Sequence, residues 1–234
     1  MTTAMLRATG LTKRFRTADG RVVDVLRGVD VALAPGELVA VVGRSGSGKS
    51  TLLNILGCLD QSDAGELWFG DEQLTRASRR SRARFRGRQL GFVFQAYNLL
   101  PELTVWENVL LAARYVGRAR AEVEPAAHAL LERLGVAERA AQYPPTLSGG
   151  EQQRVAFCRA VLNDPLVILA DEPTGNLDED NAATLLGELR ARARSGRAAV
   201  LLVTHSADLA RTADRTLTLA HGQLTGGLTP SRDA

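Results

Sequence analysis

Residues 38–50 read LVAVVGRSGSGKS, and this stretch decides the fold. Its first five residues form an uninterrupted apolar run, which is typical of a strand buried on both faces of a parallel sheet. Glycines follow at once, and apolar residues then recur at helical spacing over residues 50–59. The stretch therefore predicts a strand, a glycine-rich turn and a helix in direct succession.

The turn itself, residues 43–50, fits the phosphate-loop pattern G-x-x-x-x-G-K-[ST]. Its glycines let backbone N–H groups converge on phosphate oxygens, while Lys49 reaches the β- and γ-phosphates and the Ser50 hydroxyl binds Mg²⁺. A chance match in a glycine-rich turn is the competing interpretation, but the strand before it and the helix after it favour a nucleotide site. The nucleotide-binding residues expected here are Gly43, Ser45, Gly46, Gly48, Lys49, Ser50 and Thr51.

The rest of the chain indicates how this unit is surrounded. Short strands and turns are expected over the first 35 residues, and buried strands at residues 166–170 and 199–203 alternate with helices at 152–162 and 181–194. This alternation predicts an α/β fold with a largely parallel sheet. Residues 99–150 lack a strong strand. Helices are expected around residues 105–116, 121–134 and 151–162.

Two carboxylates follow the apolar run at 166–170 directly, Asp171 and Glu172. Side chains at the carboxyl end of a parallel strand face the crevice where open α/β sheets bind ligands. One carboxylate there can hold Mg²⁺, and its neighbour can accept a proton from an attacking water. A polar strand end that caps a surface loop is the alternative, but the phosphate loop makes Asp171 the expected metal ligand and Glu172 the expected base.

Residues 147–151 read LSGGE before the helix at 152–162. Ser148 and Glu151 have the spacing of a capping box, which would close the N-terminus of that helix. Gly149 and Gly150 would in addition leave N–H groups that an anion can approach closely. Both interpretations can hold together.

With these motifs the sequence resembles the ATP-binding-cassette (ABC) ATPases over nearly the whole chain. LSGGE is similar to the family signature, and the resemblance assigns ATP contacts to Ser148, Gly149, Gly150 and, in the D-loop Asn176–Leu177–Asp178, to Asp178. It implies that Phe15 stacks on adenine and that Gln95 of the Q-loop reaches the metal and takes part in catalysis. His205 corresponds to the switch histidine at the γ-phosphate.

The resemblance implies a P-loop NTPase (RecA-like) core with an N-terminal antiparallel β subdomain and a helical signature subdomain. One domain would span residues 1–234, with 1–98 and 163–234 forming the ATP-binding core and β subdomain and 99–162 the helical part. Within the family, residues 56–67, 92–109 and 168–178 resemble the group that contains LolD, MacB and FtsE. That group serves permeases that often do mechanical work outside the membrane. These motifs bind ATP rather than cargo, so the substrate stays open.

Only one signature and one phosphate loop are present, so the resemblance implies a homodimer with two ATP molecules at its interface. It also implies Mg²⁺ as a cofactor and separate membrane permease subunits as partners. A GTPase is excluded, because neither lysine follows an asparagine as an N-K-x-D guanine signature requires. Members that act in DNA repair or translation commonly carry two cassettes or inserted arms, which this chain lacks. A regulator of cell-wall enzymes remains an alternative to a transporter.

Composition indicates where in the cell the chain works. The longest apolar run, residues 198–203, has six residues, far below the roughly 20 that cross a bilayer. The N-terminus lacks a signal-peptide apolar region, and two cysteines cannot build a disulfide framework. Composition therefore predicts a cytoplasmic protein, and the resemblance implies that it is peripheral on the inner face of the cell membrane.

The net charge of +3 has one source, the seven arginines between Arg76 and Arg88, without which the balance is 3 − 7 = −4. We expect an exposed helix here with Phe85 as its apolar anchor. A solvated helix face is one interpretation, and contact with anionic lipid or an acidic loop of the membrane subunit is the other. No specific nucleic acid is expected, since the basic character is local.

Overall fold

The structure, a computed structural model, describes residues 4–175 and 177–226 as two sheets with helices packed around them. The strands are β1 Leu6–Arg16, β2 Val22–Leu33, β3 Leu38–Val42, β4 Ala64–Phe69, β5 Glu72–Gln73, β6 Leu90–Val93, β7 Val167–Asp171, β8 Ala199–Thr204, β9 Arg215–Ala220 and β10 Gln223–Thr225. The helices are α1 Lys49–Leu56, α2 Arg79–Gln89, α3 Val105–Tyr115, α4 Arg120–Arg133, α5 Gly149–Val161, α6 Glu179–Arg194 and α7 Ala207–Ala210.

The central sheet has the order β10-β9-β3-β8-β7-β6 and is parallel except for the β9–β10 pair. Its inner strands β7 and β8 are buried along nearly their whole length, as an uninterrupted apolar run requires. Because the strands are parallel, the carboxyl ends of β3, β6, β7 and β8 lie at one edge of the sheet. The predicted α/β fold with a parallel sheet is confirmed.

The second sheet is antiparallel, in the order β2-β1-β4-β5. The sequence indicated two short strands at residues 22–26 and 29–33, but they are one strand, β2, with Gly28 inside it at φ 75°. Register shifts between β1 and β2 absorb the irregularity. This sheet packs on α1 and one face of the central sheet through residues such as Leu11, Leu33 and Leu52.

Helices α3, α4 and α5 share a separate apolar core with the opposite face of the central sheet. Val109 of α3, Leu131 of α4 and Phe157 of α5 lie in this core together with Ile168 of β7. All three helices fall within the range 99–162 that the sequence assigns to a helical subdomain. The exact subdomain boundaries stay a prediction.

The arginine-rich segment forms the expected helix, α2, with Phe85 buried on its inner face. Ser78 caps this helix by accepting a hydrogen bond from the Ser81 N–H. Among the described residues, no helix combines the length and the apolar composition needed to cross a bilayer.

The two cysteines are buried and unpaired, and only Cys158 lies in a helix, although the sequence predicts a helix over residues 50–59 that would include Cys58. The placement of Cys58 in a helix is wrong, because α1 ends at Leu56 and Cys58 follows at φ 54°. The helix ends where Gly57 lies against Phe92, so closely that a Cβ on Gly57 would come within 2.2 Å of the ring. Burial raises the pKa of Cys58 to about 11 and that of Cys158 to about 12, so both act as packing residues.

Candidate functional site

The phosphate loop lies at the carboxyl end of β3, wrapped around the side chain of Lys49. The Lys49 Nζ donates hydrogen bonds to the carbonyl oxygens of Gly43 at 2.9 Å and Arg44 at 3.0 Å. A Cβ on Gly43 would lie 2.4 Å from the carbonyl oxygen of Leu219, and Gly48 has φ 102°. Only glycine fits both positions, which explains the pattern of the motif in physical terms.

The first turn of α1 is suited to bind an anion. Gly48 stands at the N-cap position and has no side chain to cap the helix, and the first turn contains no acidic residue. The free N–H groups of that turn and the positive end of the helix dipole therefore need a partner from outside the chain. The phosphates of a nucleotide match this requirement in charge and hydrogen-bonding capacity.

The loop forms the floor of a cleft of about 520 Å³. Most of the residues predicted to bind nucleotide or to catalyse its hydrolysis line this one cleft. They are Phe15, Ser45, Gly46, Gly48, Lys49, Ser50, Thr51, Gln95, Asp171, Glu172 and His205, together with Val25. Gly43 supports the cleft from below, at the base of the loop.

Oxygen donors suitable for a divalent cation converge in the cleft. Asp171 ends β7 and lines the cleft together with Ser50. Burial raises the pKa of Asp171, an effect reinforced by Glu172 and opposed by the Ser50 hydroxyl and by Lys49. A carboxylate, a hydroxyl and the amide oxygen of Gln95 are the hard ligands that Mg²⁺ prefers, so the residues present fit this ion.

Glu172 is held in a constrained position beside His205. Its φ of 44° lies in the left-handed region, which costs a non-glycine residue conformational energy. Its N–H donates to the carbonyl oxygen of Val203 at 3.0 Å, and its own carbonyl accepts from Gly175. The Oε1 atom then lies 2.9 Å from Nδ1 of His205, whose side chain is 74% exposed while that of Glu172 is 12% exposed. This geometry turns the Glu172 carboxylate into the cleft.

An exposed aromatic ring stands at the rim. Phe15 lies near the end of β1 and is 43% exposed, and the Nζ of Lys13 lies 5.2 Å from its ring centroid. A large exposed ring that lines a nucleotide-sized cleft is available for stacking on a base. Its position supports the predicted contact with adenine.

The signature lies elsewhere in this chain. Ser148 caps α5 in a full capping box, in which its N–H donates to Glu151 Oε2 at 2.8 Å and its Oγ accepts from the Glu151 N–H. A Cβ on Gly150 would meet Asn181 of α6 at 3.4 Å. In the part of the chain that the structure describes, Ser148, Gly149 and Gly150 do not line the cleft.

Asp178 of the D-loop does not line the cleft either. Asp178 caps α6 and accepts hydrogen bonds from the backbone N–H and the side-chain amide of Asn181, which hold the pKa of Asp178 below its usual range. Asn176 lies outside the described residues. The structure thus gives Ser148 and Asp178 capping roles within one chain, and their contacts with ATP stay a prediction.

Sequence reasoning missed two residues that hold the loop after Gln95. The guanidinium of Arg159, on α5, donates to the carbonyl oxygens of Tyr97 at 2.8 Å and of Asn98. The fully buried Asn108, on α3, donates to the carbonyls of Leu100, Leu103 and Thr104. A polar residue on the apolar face of each helix was the available signal, since a buried polar group needs partners.

A parallel sheet with a glycine-rich phosphate loop and two carboxylates at the next strand end defines a nucleoside-triphosphate-hydrolysing protein. The model of the ABC transporter family matches residues 26–175, which is more than half of the chain. The chain belongs to this family, and it is an ABC ATPase cassette.

The similarity to known proteins covers most of this chain. The lipoprotein-releasing system ATP-binding protein LolD of Pseudomonas syringae pv. tomato is 46% identical over 221 residues, which cover 94% of this chain and 97% of that protein. The macrolide export ATP-binding/permease protein MacB of Marinobacter nauticus is 47% identical over 212 residues, 89% of this chain but 33% of that longer protein. The dimeric structure of MJ0796, a bacterial ABC transporter cassette, superimposes with a TM-score of 0.89 at 35% identity, over 94% of this chain and 96% of that one.

Proposed function

We propose that this chain is the ATP-hydrolysing subunit of an ABC complex and that it drives a separate membrane permease in lipoprotein release, export or mechanical work outside the membrane. The observation that carries the proposal is the single cleft in which Lys49, Asp171, Glu172 and His205 meet. The names of the LolD and MacB relatives support the choice of these processes. No observation favours the alternative of a soluble role in DNA repair or translation, or of a regulator of cell-wall enzymes.

Two chains are needed for a complete site. The phosphate loop lines the cleft, whereas Ser148, Gly149 and Gly150 do not, and Gly150 lies next to Asn181 of α6 in the same chain. In a C₂ dimer the signature of one subunit would close on the ATP held by the loop of the other. The solved MJ0796 cassette is dimeric, which supports this arrangement.

Each residue of the cleft then has a defined task. The loop N–H groups and Lys49 bind the phosphates, and Ser50, Gln95 and Asp171 would hold Mg²⁺. When bound there, the ion would supply positive charge that offsets the charge of the phosphates. Glu172 accepts a proton from the attacking water, while the His205 ring, in contact with that carboxylate, orients it and reaches the γ-phosphate.

ATP hydrolysis would loosen the dimer and move helices α3–α5 relative to the permease. Gln95 stands between the cleft and the loop that leads into α3, so it is suited to couple the two. The chain would accordingly work at the cytoplasmic face of the membrane. Co-purification of a membrane protein from cells that express the tagged chain tests this part of the proposal.

The catalytic assignment is tested by the Glu172→Gln substitution. The amide keeps the size of the side chain but cannot take up a proton, so we expect a dimer that forms with saturating ATP and turns over very slowly. Size-exclusion chromatography with ATP and a phosphate-release assay measure the two effects, with the exposed Glu179→Gln as the matched control. A variant that stays monomeric with ATP, or that hydrolyses it at the native rate, would contradict the assignment.

A further inference from the structure

The six arginines of helix α2, together with Arg76 just before it, fall into two groups. Arg82 and Arg86 turn inward, where Arg86 donates to the carbonyl of Cys58 at 2.8 Å and Arg82 to that of Ala77 at 3.2 Å. The other five are exposed, and none of them forms a salt bridge with a residue that the structure describes. These five are Arg76, Arg79, Arg80, Arg84 and Arg88.

This arrangement is unfavourable for an isolated helix. Arg80, Arg84 and Arg88 follow one another at single-turn spacing, where like charges repel. Arg79 and Arg80 also stand in the first turn, at the positive end of the helix dipole, and the helix contains no acidic residue. No acidic side chain in residues 4–175 and 177–226 forms a salt bridge with these arginines, so an external anion would relieve the repulsion.

A tyrosine completes the surface. Gly87 lies on the same side of α2 as the three arginines, and a Cβ there would meet Tyr115 Cδ1 at 3.1 Å. The Tyr115 ring thus rests on the helix at the one position without a side chain, and it is 66% exposed. Exposed tyrosines beside basic residues are typical of protein surfaces at the membrane–water interface. We call Tyr115 and the five exposed arginines the arginine face.

We propose that the arginine face binds the anionic headgroups of a lipid membrane. Guanidinium groups bind phosphate through paired hydrogen bonds, and a row of flexible side chains suits a fluid array of phosphates. The choice of lipid over other polyanions rests on the proposed function, which brings the chain to a membrane. The arginine face would then set the orientation of the cassette beside its permease.

Vesicle sedimentation tests the proposal with the purified full chain and no permease. The chain is sedimented with phosphatidylcholine vesicles and with vesicles of equimolar phosphatidylcholine and phosphatidylglycerol, each at low and high salt. We expect binding to the mixed vesicles only, weakened by salt. Each basic residue at an anionic surface contributes about five-fold in affinity, so Arg80→Gln, Arg84→Gln and Arg88→Gln together should weaken binding about a hundred-fold.

The matched control replaces three exposed arginines on other elements, Arg7, Arg27 and Arg194, with glutamine and should bind as the native chain does. Equal binding to neutral vesicles, or unchanged binding by the α2 triple variant, overturns the proposal. Tighter binding to duplex DNA than to mixed vesicles at the same salt also overturns it. If the purified chain has no ATPase activity but its binding to vesicles still depends on these arginines, the proposed function is refuted and the lipid-binding proposal stands.

A different set of contacts points to a positioning role for Arg159. Tyr97 and Asn98 follow Gln95 closely and both have positive φ, 58° and 51°, which L-residues adopt only when other contacts hold them. The guanidinium of Arg159 provides those contacts by donating to both carbonyls. Arg159 and Ser148 are joined by one helix, α5, so the signature and the Q-loop are mechanically connected.

We infer that Arg159 positions Gln95 for hydrolysis, an inference that rests on the role proposed for Gln95. Residues that orient a metal-site ligand commonly contribute ten- to a hundred-fold to activity. Arg159→Gln should therefore lower kcat about ten-fold or more and leave the KM for ATP nearly unchanged. Arg159→Lys, which retains the charge but has a single donor group, should restore kcat only in part.

A double-mutant cycle with Gln95→Ala separates positioning from a purely structural role. If Arg159 acts through Gln95, the Arg159→Gln change costs little kcat in the Gln95→Ala background. The inference is overturned if the factors by which the two substitutions lower kcat multiply in the double variant. It is also overturned if Arg159→Gln lowers thermal stability but not kcat. If Gln95→Ala keeps the native kcat, the proposed role of Gln95 is refuted. If Arg159→Gln still has a low kcat in that case, the inference about Arg159 is overturned as well. If Arg159→Gln does not fold, the Lys variant is used for the same cycle.

Discussion

Nδ1 of His205 lies 2.9 Å from Oε1 of Glu172, at the ends of the neighbouring parallel strands β8 and β7. The strained backbone of Glu172, at φ 44°, turns its carboxylate towards the exposed imidazole. The contact joins the proposed base to a side chain that can reach the γ-phosphate. It exists only because β7 and β8 pair in parallel and end at the same edge.

Loss of this contact should slow hydrolysis without preventing ATP binding. We expect His205→Ala to lower kcat about a hundred-fold, the lower range for a residue that assists proton transfer, with little change in the Kd for ATP. Steady-state kinetics and fluorescent-nucleotide binding measure the two quantities. In a Glu172→Gln background the same substitution should have little further effect; an equal loss there would show that the two residues act independently.

Removal of the exposed ring should weaken ATP binding. Stacking of a base on an aromatic side chain contributes about 1–3 kcal/mol, so Phe15→Ala should raise the Kd for ATP by about ten-fold or more. Phe15→Trp retains a stacking surface and should bind nearly as the native chain. Val22→Ala, which shortens another exposed apolar side chain nearby on β2, serves as the control. An unchanged Kd for Phe15→Ala would rule out adenine stacking at this position.

Two glycine-to-alanine substitutions should act in opposite directions. In Gly43→Ala the new Cβ would lie 2.4 Å from the Leu219 carbonyl oxygen and 2.7 Å from Ser47 Oγ, so the loop must shift. We expect a loss of about 1–3 kcal/mol in unfolding free energy together with loss of ATP binding. Gly187→Ala, in the exposed middle of α6, meets no atom within 4 Å and should gain about 1 kcal/mol. Thermal unfolding with and without ATP measures both; a tolerated Gly43→Ala would mean that the loop does not need this close approach.

The capping box of α5 should make stability depend on pH. The hydrogen bond from the Ser148 N–H, followed by the interaction with Arg139, holds the pKa of Glu151 below its ordinary value of 4.5. Because the pKa of Glu151 is lower in the folded chain than in the unfolded chain, the charged carboxylate stabilises the fold, fully so above the unfolded-state pKa. This contribution is lost as the pH falls through the folded-state pKa.

Glu151→Gln retains the capping hydrogen bond but removes the charge. It should therefore cost about 0.3–1 kcal/mol at neutral pH and nothing at a pH below the folded-state pKa. Denaturant unfolding at neutral and acid pH measures the difference, with the exposed Glu138→Gln as the control. If Glu151→Gln and the native chain differ by the same unfolding free energy at acid pH, the effect comes from packing rather than from charge.

Local patterns in the sequence were enough to predict the central elements. The apolar runs that became β3, β7 and β8 are long, are buried on both faces and are each followed by residues with a chemical role, so chain order alone indicated a phosphate loop and a carboxylate pair. Strands β4, β9 and β10 were missed, because their burial alternates or is partial and depends on the neighbour with which they pair.

By itself the sequence determined the fold class, the phosphate loop and the identity of most residues in the cleft, because glycine, lysine and carboxylate at these spacings have few other physical uses. Only the tertiary structure decided which of those residues meet. It brings Gln95, Asp171 and His205 from three strand ends to Lys49, and it leaves Ser148 and Asp178 as helix caps away from the cleft. It also showed Arg159 against the loop after Gln95, and five exposed arginines, four on α2 and Arg76 just before it, that form no salt bridge with a described residue. These relationships depend on parallel strand pairing and on helix packing between distant segments, which no local pattern encodes.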